Sequence, residues 1–126
     1  MDAKYKINFY ADPSGEQPVK SYLKELDNKT DKDSRIKVKK ITEYFNILRI
    51  HGTGAGLPFV KHIKDDIWEL RPLRDRFFFF CWDGNRFIML HHFIKQTRKT
   101  PSHEIRIAKK NMKDYIDRST NNENTK

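Results

Sequence analysis

The sequence predicts an α+β domain: a small antiparallel sheet in meander order with an N-terminal strand, two N-terminal helices packed on one face, and a C-terminal helix. Three observations predict it. Period-two alternation in residues 4–10 gives way to helical spacing of apolar residues as far as residue 50. Residues 59–95 then read almost entirely as strand, and a last apolar stripe at helical spacing follows Pro101. At 126 residues the chain has the size of one domain, placed here at residues 1–118, with "STNNENTK" (119–126) as a polar, flexible tail that has nothing to bury.

The first element is "KYKINFY", which sets Tyr5, Ile7 and Phe9 on one side and Lys4, Lys6 and Asn8 on the other, the pattern of a half-buried strand. "ADPSGEQP" breaks it. Pro18 suits the first turn of a helix whose stripe is Val19, Tyr22, Leu23 and Leu26. Val38, Ile41, Phe45 and Leu48 trace a second helix over residues 32–50, with Lys37, Lys39 and Lys40 on its outer face. "HGTGAGLP" ends that helix with three glycines and a proline. The strands "FVKHI", "DIWELRP", "RFFFFCW" and "RFIMLHHFIK" follow, the last two joined at Asp83-Gly84-Asn85. Thr100 then caps a helix with Pro101 at its first position and Ile105, Ala108, Met112, Tyr115 and Ile116 on its stripe.

Charge narrows the class of partner. Lys and Arg total 26 against 17 acidic residues, a net +9, and this field favours polyanions, nucleic acid first among them. The single cysteine, Cys81, excludes an intrachain disulfide; among aromatic neighbours it reads as a small buried apolar residue in a reducing cytoplasm. No apolar run reaches the about 18 residues that span a bilayer, and the N-terminus has no signal-peptide core, so the expectation is a soluble cytoplasmic protein with no membrane partner. No His or carboxylate spacing suggests a metal site, and no cofactor is expected.

Strand periodicity assigns faces. With Asp83–Arg86 as a four-residue turn, Trp82 pairs with Phe87, Phe78 with His91 and Arg76 with Phe93. Arg76, His91 and Lys95 then share one face, and Phe77, Phe79, Leu90, His92 and Ile94 the other. If Leu70 faces the helices, Arg71 points away from them, toward Arg76 and Lys95. Such a cation cluster repels itself unless an anion offsets it, and Glu69 is the nearest carboxylate.

The stretch "DDIWELRPLRDRFFFFCWDGNRFIMLHHFIKQTRKTPSHEIRIAKK" resembles the second half of the RelE/HigB toxin superfamily, in its phage-derived HigB-like branch. The matching pieces are "WELR" ending at Arg71, "RFFF" opening at Arg76, "HHFIKQTRKTP" from His91 to Pro101, and "EIRIAKK" from Glu104. The resemblance implies a RelE-like fold and the toxin of a type II toxin-antitoxin pair, an endoribonuclease that cuts messenger RNA on the ribosome through ribose 2′-hydroxyl attack, without metal. Its implied partners are a small helix-turn-helix antitoxin, mRNA and the ribosome with its rRNA. It also implies Arg71, Arg76 and Lys95 as catalytic residues, two arginines gripping the scissile phosphate and a lysine serving the leaving oxygen or moving protons. Lys61, Arg74, His91, Arg98 and Lys99, with Lys37, Lys39 and Lys40 on the second helix, are the expected RNA contacts. Where the family pattern has "KK", this chain has Lys95-Gln96, so any work of a second lysine is absent or passes to Arg98 or Lys99. Two other readings fit the same cations: a non-catalytic RNA- or DNA-binding domain, and an interaction module for an acidic partner.

Overall fold

The alternating N-terminal segment becomes β1 (Lys6–Phe9), whose Ile7 and Phe9 pack toward a core. The computed structural model describes residues 2–124. α1 (Pro18–Asp27) opens on Pro18, whose missing N–H is no loss in a first turn. α2 (Lys32–His51) is capped by Asp31, whose carboxylate accepts from the Ser34 N–H at 3.0 Å. It stops at Gly52, where φ is 62° and a Cβ would stand 2.8 Å from the Tyr5 ring, so only glycine fits. A 3-10 turn (Gly52–Ala55) leads to β2 (Val60–Lys64), β3 (Ile67–Leu70), β4 (Asp75–Cys81) and β5 (Arg86–Ile94), and α3 (Ser102–Asn124) follows.

The sheet order is β1-β5-β4-β3-β2. β2 to β5 form the expected antiparallel meander, and β1 lies parallel beside β5. α1 and α2 pack on one face through Val19, Leu26, Ile41, Phe45 and Leu48, against Leu70, Phe77, Phe79, Phe87 and Met89. α3 covers the opposite face, its Ala108 buried against Phe78, Phe80, Ile88 and Leu90. A strand covered on both sides has no solvent face to mark with polar residues, which explains the unbroken "FFFF" of β4.

The hairpin register holds at one end and departs at the other. Arg76 pairs with Phe93 and Phe78 with His91 as expected, but Cys81, not Trp82, faces Phe87. The Trp82 N–H donates to the Arg86 carbonyl at 2.8 Å, so the loop is the three residues Asp83, Gly84 and Asn85. A register shift between Phe78 and Phe79, opposite Leu90, then restores the pairing. The bulge also turns Leu90 onto the α3 face, away from Phe77 and Phe79, with which alternation had grouped it.

Three further expectations are corrected. Cys81 is exposed, because it ends β4 beside the turn where the packing stops. Pro101 precedes α3 and does not open it; its carbonyl accepts from the Ile105 N–H at 3.4 Å. α3 runs on to Asn124, six residues past Arg118, since no Pro or Gly interrupts "STNNEN" and the helix can propagate on backbone bonds alone. Residues 125 and 126 of the expected tail lie outside the described residues.

Candidate active site

β3 and β5 end, and β2 and β4 begin, at the same end of the sheet, so the side chains at those termini meet. Alternation decides which of them share a face. Glu69 pairs with Phe78 on one side and Lys61 on the other, opposite in facing to Leu70, and Arg76 lies two residues before Phe78. These residues lie on the α3 face of the sheet, not on a face free of helices.

Glu69 is the anion at the centre, with 1% of its surface exposed. Arg76 Nε lies 2.8 Å from Glu69 Oε1, and Arg71 Nε 3.9 Å from the same oxygen. The short Arg76 contact is an ion pair without hydrogen-bond alignment, and both carboxylate oxygens are buried without a hydrogen-bond partner among the described residues. Burial drives the Glu69 pKa above its ordinary value; Arg76, Arg71, Lys95 and Lys61 pull the other way without cancelling it. Arg76 Nη1 donates to the carbonyls of Leu73 at 2.7 Å and Asp75 at 3.0 Å. With Nε facing Glu69, Nη2 is the nitrogen left for a ligand.

Lys95 has its pKa lowered, first by desolvation and then by Arg76, Arg71 and Lys61, against the opposing pull of Glu69. Arg76 and Lys95 line a groove of about 390 Å³ together with Arg74, Gln96, Thr97 and Arg98. The Thr97 hydroxyl donates to the Lys99 carbonyl at 2.8 Å, shaping the exit loop. The structure therefore brings together six of the eleven expected site residues: Lys61, Arg71 and Arg76 around Glu69, and Arg74, Lys95 and Arg98 with Arg76 along the groove; Lys99 meets the exit loop through its backbone carbonyl.

The remaining expected residues, His91, Lys37, Lys39 and Lys40, lie outside this cluster. His91 Nε2 pairs with Glu104 Oε1 of α3 at 2.9 Å, between Phe78 and Phe93, and so ties the helix start to the sheet. Lys37 approaches Asp75 Oδ2 at 3.3 Å, Lys40 pairs with Glu43 at 3.3 Å, and Lys39 is exposed; all three belong to α2, which packs on the other face.

Sequence reasoning gave Glu69 only the part of a neighbouring counter-charge and missed Asp75 altogether. Asp75 is buried on the α1/α2 face, where Oδ1 accepts from the Tyr22 hydroxyl at 2.5 Å and pairs with His92 Nε2 at 2.7 Å. The signal was the run Arg74-Asp75-Arg76: at a strand start, alternation sends neighbouring charges to opposite faces. Among the described residues, no group of three or more His, Cys, Asp or Glu is placed to hold a metal ion, and no helix is long and apolar enough to cross a membrane.

A five-stranded, mostly antiparallel sheet between helices, with a cation-lined groove at its open end, defines a small basic α+β domain. The chain belongs to the phage-derived Gp49-like family: the model described as "Phage derived protein Gp49-like (DUF891)" matches residues 21–113, well over half of its length. That family is associated with toxin-antitoxin systems. No curated protein matches the chain.

Proposed function

We propose that this protein is the toxin of a toxin-antitoxin pair and an endoribonuclease that cleaves messenger RNA on the ribosome, in the manner of the RelE/HigB toxins. The observation that carries the reading is the placement of Arg76 and Lys95 along one groove, with Arg71 beside them on a shared buried counter-ion, Glu69. The family's link to toxin-antitoxin systems supports it and implies an antitoxin as partner.

In this reading a ribose 2′-oxygen attacks the adjacent phosphorus, the bond to the 5′-oxygen breaks, and a cyclic phosphate remains. The hydroxyl proton passes to water. Arg76 and Arg71 meet the phosphate oxygens, where fixed donors offset the charge that grows in the transition state. Lys95 donates a proton to the departing 5′-oxygen, a task its lowered pKa favours. Glu69, too buried to meet RNA directly, is a positioning residue: it fixes the guanidinium of Arg76 from one side while the Leu73 and Asp75 carbonyls fix it from the other. Arg74 and Arg98 hold flanking phosphates.

Inducible expression in bacteria tests the reading. The wild-type chain is expected to arrest growth and leave cleaved messages on translating ribosomes, and Arg71→Ala, Arg76→Ala and Lys95→Ala to relieve the arrest and reduce the cleavage sharply. Wild-type expression without arrest or cleavage rejects the nuclease; full cleavage by all three variants rejects the site.

A further inference from the structure

Four large apolar side chains stand exposed among the described residues: Ile36 (47%), Leu57 (66%), Leu73 (49%) and Ile94 (44%). Three of them, Ile36 from α2, Leu73 from the β3–β4 connection and Ile94 from the end of β5, converge on one pocket of about 300 Å³. Scattered exposed apolar residues need no explanation, but convergence of this kind marks contact surfaces. Leu73 adds an independent sign. Its φ is 55°, a left-handed conformation that bulky residues avoid. Glycine or asparagine would sit there with less strain, yet the chain keeps a leucine and leaves its side chain half in solvent. Its carbonyl accepts from Arg76 Nη1 at 2.7 Å, so the turn that presents Leu73 outward also holds the arginine inward.

The rim says what kind of ligand fits. Of the two carboxylates there, Asp75 is buried and already engaged by Tyr22, His92 and Lys37, which leaves Asp33 on the α2 side. On the other side stands Arg74, which lines both this pocket and the cationic groove of Arg76, Lys95 and Arg98. An apolar hole thus opens onto a row of cations. Its lining has no aromatic ring on which a nucleobase would stack, and this favours a protein side chain over RNA.

We infer that the pocket between Ile36, Leu73 and Ile94 is a docking site for an acidic segment of a partner protein, which seats an aliphatic side chain in it and lays carboxylates over Arg74 toward the groove. Docking stands on the surface alone. Its consequence, that the segment closes the groove to RNA, rests on the nuclease reading above.

The test uses the full chain with labelled Ile and Leu methyl groups. It is titrated with a short peptide of Glu and Leu, the same peptide with Ser for Leu, the same with Lys for Glu, and a short single-stranded RNA. The Glu/Leu peptide is expected to move the methyl signals of Ile36, Leu73 and Ile94 and to displace RNA. Leu73→Gly and Ile94→Ser are each expected to weaken that peptide by about tenfold, the size of losing one aliphatic anchor. Leu73→Gly relieves the positive φ while freeing the unfolded chain, so its thermal midpoint is expected close to that of the wild type, and weaker binding at an unchanged midpoint is not unfolding. Equal binding of the Ser peptide would reduce the site to charge alone and overturn the inference, as would three unmoved methyls, or methyls moved by RNA and not by the peptide. If the peptide docks but the wild-type chain cuts no RNA, the docking site stands and the nuclease reading falls.

Discussion

Asp75 and Glu69 lie near the same end of the sheet, on opposite faces, each a carboxylate with about 1% of its surface exposed and cations beside it. Their surroundings differ in the degree of closure: Asp75 accepts two hydrogen bonds at Oδ1 while its Oδ2 has only the Lys37 ammonium beside it at 3.3 Å, and Glu69 accepts none at either oxygen. Asp75 has a hydroxyl, an imidazole and an ammonium around it, and although burial pushes its pKa up, the hydrogen bonds from His92 and Tyr22 and the charge of Lys37 outweigh that and hold it below the ordinary range. Glu69 has charges around it but no aligned donor, and burial prevails. A closed polar cluster returns the cost of its desolvation as hydrogen bonds; an open one keeps unused donors and charge for a ligand. On this argument the Asp75 cluster on the α1/α2 face serves the fold, and the α3 face carries the cations to which the proposed function assigns the chemistry.

Substitutions can break or sharpen that contrast. The largest effect is expected on the open side: Arg76→Lys keeps the charge but loses the fork, and message cleavage on translating ribosomes should fall by ~10²–10³-fold. Lys95→Ala should lower the same cleavage by ~10²-fold or more, with RNA still bound. Next comes the closed side, where Asp75→Ala strands Tyr22, His92 and Lys37 and should cost about 3 kcal/mol in denaturant unfolding. An Asp75→Ala variant with unchanged stability would remove the distinction.

Proton linkage gives a smaller contrast of opposite sign. The folded pKa of Asp75 lies below its ordinary 3.8, so its contribution is complete above that value and is lost as pH falls through the folded pKa. Glu69 lies above its ordinary 4.5, so stability is favoured at low pH and declines as pH rises through the folded pKa. Thermal midpoints of Asp75→Asn and Glu69→Gln followed against pH should therefore diverge from the wild type at opposite ends: below 3.8 the Asp75→Asn deficit shrinks, and above 4.5 Glu69→Gln gains on the wild type. The smallest effect belongs to Lys39→Ala on α2, expected to leave cleavage at the wild-type level and stability within about 0.5 kcal/mol.

Much of this was legible along the chain. Period-two spacing in "KYKINFY" and helical spacing from Val38 to Leu48 located elements to within a residue or two, because each pattern belongs to one local geometry. The pairing of Arg76 with Phe93 was correct although the loop beside Trp82 was taken one residue too short, since the bulge opposite Leu90 compensated. Leu90 itself could not be placed, as nothing in "IMLHH" announces a bulge. His91 and Lys37 were read as RNA contacts because their partners Glu104 and Asp75 lie on other elements of the chain.

The sequence by itself determined the α+β class, the meander, the charge excess and the bringing of Arg71, Arg76 and Lys95 to one face, because alternation and helical spacing are local and charge is additive. Only the tertiary structure decided that α3 covers that same face, that Asp75 is hydrogen-bonded at Oδ1 while Glu69 is open at both oxygens, and that Ile36, Leu73 and Ile94 meet beside the groove. Burial and hydrogen-bond closure are properties of neighbours brought together across the chain, and no local pattern encodes them.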